Sequence, residues 1–127
     1  MTPLTTEWVA KAEGDFATAS REVRSRNAPN YDAACFHAQQ CAEKYLKARL
    51  QEAGIAFPHT HDLDALLTLV LPVEPGWLAL RPALVSLTVY AVAYRYPGAT
   101  ADKATARQAL KFCRDVRLAA RAALGLP

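Results

Sequence analysis

The stretch Cys35-Phe36-His37-Ala38-Gln39-Gln40-Cys41-Ala42-Glu43-Lys44-Tyr45-Leu46-Lys47-Ala48 decides how this chain folds. It contains no glycine or proline, so nothing interrupts a helix through it. It also mixes polar groups into an apolar helix more densely than packing alone requires. A buried His, Gln, Glu or Lys must be hydrogen-bonded or must have a job. The helix is predicted from about Tyr31 to Ala53, with Gly54 as its C-cap. Ala34, Cys35, Ala38, Cys41, Ala42, Tyr45, Leu46 and Leu50 make a broad apolar face. His37, Gln40, Lys44 and Lys47 fall on another face at spacings of three, four and three.

On the N-terminal side, Trp8, Ala12, Phe16, Ala19 and Val23 recur at helical spacing. They predict a first helix from a Thr5 or Thr6 cap to about Ser25, broken by Asn27-Ala28-Pro29-Asn30. On the C-terminal side, Ile55 to Pro58 reads as a loop. Thr60 or His61 opens a third helix, carrying Leu63, Leu66, Leu67 and Val70 and closed by Pro72 and Pro75. After a turn around Trp77, a fourth helix runs from about Leu80 to Tyr94. Its stripe is Leu80, Leu84, Leu87, Ala91 and Tyr94, with Val85, Val89 and Val92 off the stripe. A helix apolar on so many sides is expected centrally or at a subunit interface. Pro97-Gly98 ends it, and a fifth helix covers about Ala101 to Leu124. The pattern predicts an all-α fold, a five-helix up-and-down antiparallel bundle forming one domain over residues 1–127.

At 127 residues the chain is long enough for a core that needs no metal or disulfide staples. Cys35, Cys41 and Cys113 are odd in number and form no CxxC, which favours free thiols in a reducing cytoplasm. The first residues lack the basic and apolar regions of a signal peptide, and no uncharged apolar span is long enough to cross a membrane. The net charge of +3 is modest but unevenly distributed. Residues 1–94 hold eight basic and ten acidic groups, whereas residues 95–127 hold seven basic and two acidic groups.

Several chemistries can be weighed. His59-x-His61-Asp62 offers close ligands, but a zinc site needs three or four that converge, and helix capping is the plainer role. No residue is marked as a nucleophile, and no glycine loop of phosphate-binding type is present, so neither a metal nor a cofactor is expected. On the fifth helix, Lys103, Arg107, Lys111, Arg114, Arg117 and Arg121 share a face about 120° wide. That face is a candidate phosphate track, with a solvated helix face as the alternative. In Tyr94-Arg95-Tyr96-Pro97, proline holds Tyr96 extended and ends the helix. Arg95 is thereby presented between two tyrosines that could stack a base while the guanidinium holds a phosphate. The alternative has Arg95 paired with Glu43 or Asp15.

Together these segments resemble the HEPN domain family (higher eukaryotes and prokaryotes nucleotide-binding). The residues that carry the resemblance are Trp8 with Ala12-x-x-Asp15-Phe16-x-x-Ala19, Phe36-His37-Ala38-Gln39-Gln40-x-Ala42-Glu43-Lys44-x-Leu46-Lys47-Ala48, Gly54-Ile55, Thr60-His61-Asp62-Leu63 with Leu66-Leu67, and Tyr94-Arg95-Tyr96-Pro97. The resemblance implies a helical bundle that dimerises. It also implies pairing with a minimal nucleotidyltransferase in a two-gene module of toxin–antitoxin type. Active members of the family are metal-independent ribonucleases using an Arg followed, after four to six residues, by a His. Here the positions that follow Arg95 at that spacing hold Thr100, Ala101 and Asp102, so the motif's general base is missing.

The expectation is a non-catalytic HEPN protein that forms a homodimer and binds a nucleotidyltransferase partner, a nucleotide or RNA. The candidate contacts are Lys44, Lys47, His61, Tyr94, Arg95 and Tyr96. The alternative is a divergent ribonuclease using Arg95 with His37 or His61. A third possibility is an interaction module whose polar residues on the second helix only lock the bundle.

Overall fold

Helix α1 (Pro3–Arg24) starts earlier than the sequence pattern suggests. Its cap is Thr2, whose hydroxyl accepts the Thr5 N–H at 3.1 Å, and Pro3 occupies the first turn, where its missing N–H costs nothing. Thr5, read from sequence as a cap, is instead fully buried inside the helix. The computed structural model describes residues 1–127 and contains helices and turns but no strand.

The chain reverses through Ser25 to Asn30, where Ala28 takes a left-handed backbone at φ 49°. Helix α2 (Tyr31–Ala53) is capped by the Asn30 side chain at one end and by left-handed Gly54 (φ 71°) at the other. Helix α3 (Leu63–Val70) is capped by Asp62, which accepts the Asp64 and Ala65 N–H groups; neither Thr60 nor His61 plays that part. A 3-10 turn over Pro75–Leu80 leads to α4 (Arg81–Thr88).

The expected helix to Tyr94 stops six residues short. At Thr88 the hydroxyl donates to the Leu84 carbonyl (2.9 Å) and accepts the Leu63 N–H (3.1 Å). Such back-bonding competes with the helix, and β-branched Thr88, Val89 and Val92 propagate one poorly. The chain tightens into a 3-10 turn over Val89–Ala91 and reaches Arg95 through further turns. Helix α5 (Lys103–Ala123) is capped by Asp102, which accepts the Thr105 N–H at 2.7 Å.

The Thr2 N–H donates to Glu52 at 3.0 Å, closing α1 against α2 as an antiparallel pair. The Ala101 N–H donates to Asp32 at 2.7 Å, setting the start of α5 beside the start of α2, so these two run in the same direction. Small residues line the contacts. Ala12 and Ala19 of α1, Ala34, Ala38 and Ala42 of α2, and Ala106, Ala109 and Ala120 of α5 are all buried. Larger leucines, among them Leu46, Leu63, Leu66 and Leu84, fill the space between α2, α3 and α4. All three cysteines are buried free thiols. Burial pushes the Cys35 thiol up to about 12, helped by Asp32 and Asp102, and burial with the neighbouring Cys113 raises Cys41 as well. Both are held as unreactive thiols.

Candidate functional site

The polar residues of α2 sort into three internal clusters and one open cleft. In the first cluster Asp15 of α1 takes Lys44 Nζ at 2.5 Å and His37 Nδ1 at 2.7 Å, one on each carboxylate oxygen. In the second, Glu43 takes Lys47 at 3.0 Å, Gln39 at 3.0 Å and His61 Nδ1 at 2.8 Å. Burial alone would raise the Glu43 carboxyl, but the hydrogen bonds from His61, Gln39 and Lys47 outweigh it and hold it below its ordinary value. In the third, Glu13 of α1 receives the Arg117 fork at 2.7 and 2.8 Å and the Tyr45 hydroxyl, while Arg121 donates to that hydroxyl oxygen at 3.1 Å. The Arg117 hydrogen bond is the main reason the Glu13 carboxyl is lowered, while burial and the Glu13 bond raise Tyr45.

The predicted contacts therefore do not converge. Lys47 is buried, its charge committed to Glu43 and its ammonium 5.6 Å from the Trp8 ring. Lys44 belongs to Asp15, and His61 sits over Glu43, away from Arg95. The α5 stripe divides too. Lys103, Arg107 and Arg114 are exposed, Lys111 pairs with Asp115 at 3.3 Å, and Arg117 and Arg121 turn inward to Glu13 and Tyr45. His59 is exposed, and no group of three or more His, Cys, Asp or Glu side chains converges as metal ligands would.

Arg95 pairs with neither Glu43 nor Asp15. Its guanidinium lies 5.2 Å from the centre of the Phe36 ring, which meets the His37 ring edge-on at 5.3 Å. Arg95 and Tyr94 join Phe36, His37, Asn30 and Asp32 in lining an open cleft of about 350 Å³. Tyr94 is stacked on Tyr90 at 5.8 Å, which fixes its ring, whereas Tyr96 is exposed and lies outside the cleft. A carboxylate can only accept, so His37 Nδ1 donates in this bond, and His37 Nε2 makes no hydrogen bond within the protein. The sequence offers His37 as a catalytic partner for Arg95 on equal terms with His61, and nothing in the spacing of 37 and 95 shows that these two meet.

The fold and this cleft define an all-helical bundle protein with an exposed cation and an oriented imidazole at one end. The HEPN domain family model matches residues 5–122, and the chain belongs to that family. No match is found among curated proteins or among solved structures.

Proposed function

We propose that the protein is a non-catalytic HEPN subunit that binds a nucleotide or an RNA phosphate at the Arg95 cleft. In this reading it acts as a dimer with a minimal nucleotidyltransferase partner, in a module of toxin–antitoxin type. The observation that carries the reading is Arg95 itself. It is exposed, has no carboxylate partner, and is held over Phe36 beside His37 and Tyr94. A guanidinium so placed offers a planar fork to a phosphate, and the tyrosine offers a face to a base. Of the six predicted contacts, the proposed cleft keeps Arg95 and Tyr94, omits Tyr96, which lies outside it, and takes His37 in place of Lys44, Lys47 and His61, which serve internal pairs. Dimerisation is supported by Val85, Val89 and Val92, each at least half exposed on and beyond α4.

Calorimetric titration with mononucleotides, short RNA and a co-encoded nucleotidyltransferase tests the binding. Arg95→Ala should weaken nucleotide or RNA binding about tenfold, the scale of one lost charge-assisted contact. If the wild-type dimer binds none of the three probes, the reading is wrong.

A second reading is favoured by one specific observation, the Asp15–His37 pair lining the same cleft as Arg95. His37 Nε2 could take the proton of a ribose 2′-hydroxyl while Arg95 stabilises the phosphate, giving a divergent metal-independent ribonuclease. Incubation with RNA in the presence of a chelator separates the two. Cleavage that disappears in both His37→Ala and Arg95→Ala would establish the enzyme, and intact RNA would leave the binding subunit.

A further inference from the structure

A second cleft lies at the same end of the bundle, with an open volume of about 690 Å³. It adjoins the Arg95 cleft across the start of α2, since Pro29 and Tyr31 line this one while Asn30 and Asp32 line the other. Four cations surround it: Arg24 and Arg26 from the end of α1 and the loop beyond, and Lys103 and Arg107 from the first turns of α5. No acidic residue lines it. None of the four cations forms an ion pair, although Lys44, Lys47, Arg49, Arg81, Lys111, Arg117 and Arg121 all do. On the neighbouring segments Glu22, Asp32 and Asp102 each accept a backbone N–H, from Asn30, Ala101 and Thr105 respectively, and none pairs with these cations. Like charges gathered around one cavity repel one another, and the arrangement is relieved by an anion.

We infer that this cleft binds a compact polyphosphate group, either as a nucleoside polyphosphate or as inorganic polyphosphate. A nucleic-acid strand strings single charges along its length and calls for a continuous track. No such track leaves this cleft: farther along α5 Lys111 pairs with Asp115, and Arg117 and Arg121 turn inward to Glu13, which leaves Arg114 as a single exposed cation without an ion pair. Four converging cations suit several negative charges held close together, and two or more of the arginines can grip phosphate oxygens in pairs. Tyr31, half-buried in the wall, offers a ring to a nucleoside attached to the phosphates. Arg24 and Arg26 could not be assigned to this site from sequence; only the fold brings them to Lys103 and Arg107.

The test is calorimetric titration of the whole protein with tripolyphosphate, ATP and a short single-stranded RNA at about 0.15 M salt. Saturable binding of tripolyphosphate or ATP is expected. The pair Arg24→Gln and Arg107→Gln should weaken it by about tenfold or more, and Arg26→Gln with Lys103→Gln should do the same. All four side chains are exposed, so both pairs should keep the wild-type melting temperature. Arg95→Ala should leave tripolyphosphate binding unchanged, which separates this site from the Arg95 cleft. In the Arg95→Ala background, tighter binding of ATP than of tripolyphosphate identifies a nucleoside source, and equal binding identifies the phosphates alone. The inference is overturned if neither phosphate ligand binds, if RNA alone binds, or if both glutamine pairs bind like wild type.

Discussion

Glu43 shows how much of the chemistry on α2 is inward. It serves Lys47, Gln39 and His61 at once, and two of those partners, Gln39 and Lys47, are themselves buried. Removing Lys47 strips a buried carboxylate of its ammonium partner and leaves Oε2 without a donor, so Lys47→Ala should cost about 3 kcal/mol, read as a lower urea midpoint. The acid response follows from the same pairing. The Glu43 carboxyl is lowered from 4.5 in the folded state, so its contribution is present above that value and is lost as pH falls through the folded value. Thermal stability should be level near neutral pH and decline below about 4.5. A Glu43→Gln variant should decline less steeply; an identical acid profile would contradict the pairing. The sequence made it clear that these polar groups needed partners. It could not say which, because Asp15 lies 29 residues from Lys44, and Glu13 lies 104 from Arg117.

At the scale of elements, the three long helices were readable from period and caps, since their apolar faces are wide and glycine or proline marks their ends. The misses came from hydroxyls acting locally, with Thr2 rather than Thr5 starting α1 and Thr88 ending α4 early. Gly54 holds its left-handed cap with open space where a Cβ would go, so Gly54→Ala meets no clash and should cost only the backbone penalty, about 1 kcal/mol by chemical denaturation. Val85 on the outer side of α4, and Val89 and Val92 beyond its early end, lie outside the core. Val89→Ser should therefore leave the monomer's unfolding free energy within about 0.5 kcal/mol of wild type. If these valines form the dimer contact, the same change should shift sedimentation toward monomer.

Across the whole molecule, the close contacts of α1, α2 and α5 rest on alanine and cysteine, while leucines carry the bulk of the core around α3 and α4. Leu46→Ala, at a fully buried position, should cost about 2–5 kcal/mol, measurable in guanidinium. The all-helical architecture was legible because helical periodicity is a local signal. The two clefts were not, since each joins residues far apart in the chain, 30–37 with 94–95 in one and 23–31 with 103–107 in the other. The end of the bundle that holds both clefts carries Arg24, Arg26, Arg95, Lys103 and Arg107 without ion pairs, whereas farther from it Arg49 pairs with Glu74 and Arg117 with Glu13. The consequence is kinetic. A lopsided field turns the molecule as it diffuses, so that an approaching anion meets the cationic end first and productive encounters outnumber those that chance orientation would allow.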